Sequence, residues 1–354
     1  MWMLDGTLGV RPPERARPVP WPPATSRWEA TVPSVVKHAL EDICFPEFLD
    51  LLREAHAEIV GGTGMEGVIS EPHYRWKYAS PFGAAVAALV VHGNKYIAST
   101  SMFPLEVVSS AGVVRAWQCC DAATRADARG QGWFTRCLTS LRTEIGENEI
   151  FFAFPNKNSA PGFRKFGWQH HGDVHTRIRL LPSAQVHPSP GMLRLTRFGD
   201  AQDRLVTQLV SGSPMLNKTA AYMNWRYFDH PLNRAQYECF TGHEEGFGTL
   251  VMRDLSVLGQ RFAVIMELLG RNPGEELQML RFATRWAARR GIQRVLAMDN
   301  TLANSIALRA GYCLVPQRLL PKRQMLMGAD YGGGVARRIW AAPWRVAIGD
   351  WDAF

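Results

Sequence analysis

Asp121-Ala-Ala-Thr-Arg-Ala-Asp-Ala-Arg129-Gly130-Gln131-Gly132-Trp133-Phe134 joins a strand pattern to a helix pattern through a loop with two glycines in three residues. Glycine leaves the main chain bare, and a helix that starts there turns unpaired N–H groups and the positive end of its dipole into the loop. That combination suits a phosphate or pyrophosphate. Upstream, Val113-Val-Arg-Ala-Trp-Gln-Cys-Cys120 is rich in β-branched and aromatic residues and reads as a strand. Downstream, Phe134, Leu138, Leu141 and Ile145 form one apolar helical stripe that stops at Gly146.

Further along, Glu149-Ile-Phe-Phe-Ala-Phe154 predicts another strand, followed by Pro155-Asn-Lys-Asn158-Ser159 and then Phe163-Arg-Lys-Phe-Gly167-Trp168. At these residues the chain resembles the GNAT acyl-CoA N-acyltransferase superfamily, whose acyl-CoA loop reads Arg/Gln-x-x-Gly-x-Gly/Ala. Arg129 and Gly132 fill the first two fixed positions, and Phe134 replaces the last small residue. The order strand, Asn turn, short helix and Gly-aromatic is similar to the second half of a GNAT core.

The resemblance implies an α/β fold with a mixed sheet of the α+β kind. It also implies acyl-CoA, acetyl-CoA in the first instance, as co-substrate. The acyl group would pass to an amine by direct attack in a ternary complex. Cofactor contacts then fall on the backbone of Ala122 and Thr124, on Arg129, Gly130, Gln131, Gly132, Trp133 and Phe134, and on Asn158 across the cleft. Asn158 is equally suited to capping the next helix. Many relatives place a tyrosine acid four residues before the Gly-aromatic pair; here Phe163 stands there and has no proton to give. Asp121 and Glu106 are the candidate bases near the cleft, each weighed against a plain surface carboxylate.

The chain reads as one pattern written twice. His73-Tyr-Arg-Trp76-Lys-Tyr78 is echoed by Met223-Asn-Trp225-Arg-Tyr227, an offset of 149 residues, and Asn158-Ser159 is echoed by Asn304-Ser305. The second copy reads Leu268-Leu-Gly-Arg271-Asn272-Pro-Gly-Glu275-Glu276 where the phosphate loop should lie, and two carboxylates there repel a diphosphate. Two tandem GNAT-like units are therefore expected, the second degenerate, with Trp225 and Tyr227 in the core. Boundaries fall at 1–32 for a Pro-rich arm, 33–184 for the first unit, 192–328 for the second, and 329–354 for a Trp-rich tail that packs back on the body. A helix over 45–59 and a strand over 84–91 belong to the first unit.

Charge and composition narrow the partners. Forty Lys and Arg against 32 Asp and Glu leave +8, which favours anionic ligands. The arginines at 281, 285, 289, 290 and 294, several of them at helical four-residue steps, lack aromatic interleaving, so a solvated helix face is expected rather than a nucleic-acid surface. Six cysteines show no Cys-x-x-Cys and no zinc spacing, and His170-His171 reads as solvated loop, so no metal is expected. No apolar run reaches the roughly 18 residues of a membrane span, and Asp5 follows the amino terminus too soon for a secretory leader, so a cytoplasmic enzyme is expected. Its acceptor is expected to be a small-molecule amine or amino sugar. Aminoacyl-tRNA-dependent transfer by paired GNAT-like units, or a non-catalytic acyl-CoA or nucleic-acid-binding module, are the alternatives. Acyl length, oligomeric state and pathway are not legible.

Overall fold

The computed structural model describes residues 32–60, 69–181, 191–231, 236–243, 247–257, 259–298, 300, 302–320 and 325–351. The Pro-rich arm and the 182–190 linker stretch lie outside them.

β-branched and aromatic runs form strands β1 (Ser34–Ala39), β2 (Val86–His92), β3 (Lys95–Ser109), β4 (Gly112–Thr124), β5 (Glu149–Ala153), β6 (Gln169–Asp173) and β7 (Thr176–Leu180). The later chain adds β8 (Leu193–Arg194), β9 (Tyr237–Thr241), β10 (Thr249–Val257), β11 (Gln260–Leu269), β12 (Arg294–Met298), β13 (Cys313–Leu314) and β14 (Met325–Tyr331). One sheet runs β1-β2-β3-β4-β5-β14-β6, with the short segment Met215–Leu216 paired to β3. The other runs β8-β9-β10-β11-β12-β7-β13. The two orders match place by place, and each half lends one strand to the other: β7 lies in the second sheet and β14 in the first. The 33–184 and 192–328 boundaries therefore follow chain order, while the sheets interlock across them. Residues 325–331 complete the first sheet because β5 and β6 both pair with them. The second strand of the 169–180 hairpin region leaves that sheet for β12.

Alternating side chains give the first sheet two apolar faces. On one face Trp117, Cys119 and Phe151 meet Cys137, Leu138 and Leu141 of the helix that follows the glycine loop. Ala116, Cys120 and Phe152 meet Phe48, Leu49 and Leu52 of helix α1 (Phe45–Val60) and the second half. Each fully buried Leu or Phe of this kind contributes roughly 1.5–3 kcal/mol.

The halves meet at helix α2 (Glu71–Tyr78) and its echo Ala220–Tyr227, which carry the repeated Trp-basic-Tyr triplets. The indoles of Trp76 and Trp225 stack at 4.9 Å, and each N–H donates to the other's main-chain carbonyl, at 2.7 and 3.0 Å. Such reciprocity is what a two-fold-related contact produces. Trp225 and Tyr227 are core residues.

His73 and His230 are sealed beside this stack, with ring centroids 5.2 Å apart. Burial, with Lys77 and His230 nearby, lowers His73 to about 2; burial, with Arg226 and Arg253, lowers His230 to about 3. Below pH 6.5 the unfolded chain takes up protons that these folded rings refuse, so stability falls on acidification. Urea unfolding at pH 5 should show about 2 kcal/mol less stability per histidine than at pH 7, at ~1.4 kcal/mol per unit below the ordinary value. His73→Gln should reduce that loss by about half. An unchanged urea midpoint between the two pH values would show both rings to be solvated.

Candidate active site

β4 and β5 run parallel but pair only over Ala116–Gln118 and Ile150–Phe152. Beyond Gln118, β4 continues six residues to Thr124, a length of about 20 Å along which β5 no longer accompanies it. The sheet is forked there. Arg125 donates its amide to Ile97 on the β3 side at 2.9 Å, so strand alternation turns the amides of Ala122 and Thr124 toward the open side.

The glycine loop sits at the tip of this fork. Gly130 and Gly132 have φ of +77° and +80°, which only glycine adopts freely, and nothing lies within 4 Å of the space a Cβ would take at either. Residues 129–132 are exposed. Helix α3 (Trp133–Arg142) begins on Gly132 with no side-chain cap, so its first amides have no partner from the chain's own side chains. Arg129 Nε folds back to the Thr124 carbonyl at 3.3 Å, and the Trp133 indole, buried, donates to Gln131 Oε1 at 3.2 Å. Arg129, Gln131 and Trp133 shape the loop by these contacts, leaving main-chain amides to face an anion.

The Phe134 ring is turned toward the next helix. It packs on Gly162 of helix α4 (Ala160–Lys165), where a Cβ would come within 2.5 Å of its ring, and meets Phe163 edge-on at 5.0 Å. Phe163 itself is buried and stacks on Trp168 at 4.5 Å. A large residue at 134 thus pins α4 to the start of α3. Phe163→Tyr should cost about 1–3 kcal/mol by burying an unpartnered hydroxyl, with no gain in any transfer rate. A faster variant in thiol-release kinetics would show that the ring reaches the cleft.

Asn156 holds the turn ahead of α4, its Oδ1 accepting from the amides of Asn158 and Ser159 at 2.8 and 3.1 Å, and no side chain caps α4 itself. Asn158 is exposed on the β5 side of the fork.

The two base candidates are not brought together. Glu106 lies six residues beyond Thr100 along β3, about 20 Å from the level of Asp121, and accepts from Asn217 at 2.8 Å. It is not at the fork, because the strand's length carries it to the other end. Asp121 is at the fork but is no surface carboxylate, since its side chain is 8% exposed. Lys77 Nζ lies 2.9 Å from one carboxylate oxygen, and the Tyr78 hydroxyl donates to the other at 2.8 Å. Burial pushes Asp121 up, but Lys77 and the hydrogen bonds outweigh it and hold the carboxyl below the usual range. Burial and the Asp121 charge push Tyr78 well up, so it stays a donor. Sequence reasoning missed Lys77 and Tyr78 as site residues. Their signal was the Trp-basic-Tyr echo.

The second sheet is forked in the same way: β11 pairs with β12 only over Ala263–Ile265 and then runs on to Leu269. Here the fork is filled. Arg345 donates to the Leu268 carbonyl at 2.6 Å, Arg226 Nε donates to the Gly349 carbonyl at 3.0 Å, and a Cβ at Gly349 would strike Tyr227, Glu267 and the Met266 carbonyl. The helix Pro273–Arg289 is self-capped: Asn272 Oδ1 accepts from the Glu275 amide and Glu275 from the Arg271 amide, both at 3.0 Å. Its anion site is taken by its own carboxylate. The tail continues to the first fork, where Gln118 donates to the Asp350 carbonyl at 3.1 Å and Trp351 lies 5.7 Å from Phe154. Trp340, Trp344 and Trp351 are all buried against the body.

His170-His171 lies in strand β6, not in a loop: His170 pairs with Asp173 at 2.9 Å and His171 with the Trp340 carbonyl at 2.7 Å, because the edge strand is needed to cover β14. Among the described residues no group of three or more His, Cys, Asp or Glu could hold a metal, and no helix is long and apolar enough to cross a membrane.

No protein-family model and no curated protein matches the chain. Solved structures do. A GCN5-related N-acetyltransferase from Anabaena variabilis superposes with a TM-score of 0.60 at 12% identity, covering 84% of this chain and 72% of that one. A conserved protein of Enterococcus faecalis, described as a probable N-acyltransferase, gives 0.59 at 13% identity, covering 85% and 73%. A GCN5-related N-acetyltransferase from Kribbella flavida gives 0.53 at 14% identity, covering 83% and 71%. The chain has the GNAT fold, an α/β fold with mixed sheets.

Proposed function

We propose that a chain with this fold is an acyl-CoA-dependent N-acyltransferase with one working cleft, the fork between β4 and β5, and a second, degenerate copy. One observation carries the reading: the first glycine loop is exposed beside a helix start that no side chain caps, whereas the second fork is filled by the chain's own tail and its helix is capped by Asn272 and Glu275. The amides of residues 129–134 would hold the diphosphate of acetyl-CoA or another acyl-CoA, favoured by the helix dipole and the +8 chain charge. The main chain of Ala122 and Thr124 would bond the pantetheine arm as an added strand, with Asn158 facing it.

The acceptor nitrogen attacks the thioester carbonyl carbon, the C–S bond breaks, the thiolate leaves, and the ammonium proton passes to solvent or a base. Holding both reactants in one cleft contributes roughly 7–11 kcal/mol to such a step. A thiol of pKa near ~8.5 is a fair leaving group, so the buried Phe163 does not bar the reaction. The acceptor is a small-molecule amine or amino sugar.

Thiol release from acetyl-CoA, screened against a panel of amines and amino sugars, tests this. Amine-dependent release that survives RNase treatment is expected. Release that depends on charged tRNA would instead favour aminoacyl transfer. Salt-sensitive nucleic-acid binding without any thiol release would point to a binding module.

A further inference from the structure

β4 carries a bulge at the fork. Ser101 pairs with Cys120 and Ser99 with Ala123, so Asp121 and Ala122 together face Thr100 alone. Asp121 has φ +50°, in the left-handed region where glycine is usual at the first position of such a bulge. A non-glycine residue stays there only when its surroundings over-determine it. Three bonds do so: Lys77 to one carboxylate oxygen at 2.9 Å, Tyr78 to the other at 2.8 Å, and the Ser99 hydroxyl to the Asp121 carbonyl at 2.9 Å.

We propose that Lys77 and Tyr78 are positioning residues which clamp Asp121 in the left-handed bulge and so aim the Ala122 amide into the fork, where the thioester oxygen would lie. This rests on the acyl-transfer reading of the cleft. Asp121 itself acts through its backbone and is not the base, since both its oxygens are engaged and its charge is matched by an ammonium.

The second half supports the distinction. Tyr227, at the place of Tyr78, donates to Glu267 at 2.7 Å, and Glu267 also adjoins a bulge in its forked strand. A tyrosine–acid pair is therefore kept where the fork is filled by the tail, which fits a strand-holding role and not proton transfer. Among the described residues Asp121 and Asn148 are the non-glycine residues with positive φ, so Glu267 lacks the left-handed turn. The clamp and the turned amide occur together only in the half with the open loop.

Asp121→Asn, Asp121→Ala and the double variant Lys77→Met/Asp121→Gly separate the roles. Asparagine tolerates the left-handed region and glycine adopts it freely, and the double variant leaves no buried unpaired ammonium. Expected kcat losses in acetyl-CoA thiol release are about 3- to 10-fold for the asparagine and double variants and about 30-fold or more for alanine. The affinity for CoA, which lacks the acyl oxygen, should change less than about 3-fold throughout, and the pH profile should keep its shape. Equal losses of about 100-fold or more in all three folded variants, with the acidic limb of the profile removed, would make Asp121 the base and overturn the clamp. If the wild type releases no thiol with any amine, the functional reading falls and the clamp's role in transfer falls with it. Wild-type release with equal variant losses sinks the clamp alone.

Discussion

Gly132→Val is expected to weaken acetyl-CoA binding by about 100-fold or more, with little loss of fold stability beyond about 1–2 kcal/mol of backbone strain. The residue sits at φ +80° as the N-cap of α3, a conformation that a β-branched side chain strongly resists. No protein atom lies within 4 Å of where the new Cβ would point, so the substitution does not clash with the chain. It would occupy or distort the space in front of the uncapped amides. Calorimetry measures the affinity and thermal unfolding the stability. Unchanged affinity in a folded variant would remove the anion cradle from the mechanism.

Lys218→Met should produce the largest stability loss away from the cleft. The Lys218 ammonium is buried between Glu267 and Asp350, 2.6 Å from the latter, and the Tyr227 hydroxyl donates to Glu267 at 2.7 Å. Burial alone would lower Lys218, but Asp350 and Glu267 raise it; burial raises Glu267 in spite of Lys218. Removing the cation leaves two carboxylates facing each other without water, a loss of about 3–5 kcal/mol. Calorimetric scanning should record a fall on the order of 10 °C in Tm. Lys218→Met combined with Glu267→Gln and Asp350→Asn should recover part of it, because neutral groups need no counter-charge. A Tm within about 2 °C of the parent for the single variant would show that water reaches the cluster.

The effect matters for the site because Asp350 belongs to the tail that joins both forks. Its carbonyl accepts from Gln118, the last residue of β4 to pair with β5, while its carboxylate holds Lys218 of the second half. The second half thus takes part in both forks. It anchors the segment that closes its own fork and lies against the base of the first one.

Several features were legible from neighbouring residues alone. The strand before the loop, the helix after it and the strand that follows are set by local periodicity, and the helix expected over 45–59 is observed as Phe45–Val60. The departure at Phe134 was visible too, but its packing partner Gly162 was not, since that contact joins two helices separated by a strand. The tyrosine–acid pairs lay partly in view: Tyr78 and Tyr227 repeat at 149 residues, but the acids are an Asp and a Glu on strands with different bulges, which blurs the echo.

By itself, then, the sequence determined the elements, the bare glycine loop, the phenylalanine at 163 and the unequal halves. Each of those depends on residues within a few positions of one another, where propensity, φ preference and charge act directly. Only the tertiary structure decided that β7 and β14 change sheets, that the tail fills one fork and meets the other at its base, that Glu106 is remote, and that Asp121 is clamped. Those outcomes depend on which distant backbone edges pair and which side chains lose their water together, and no local pattern encodes either.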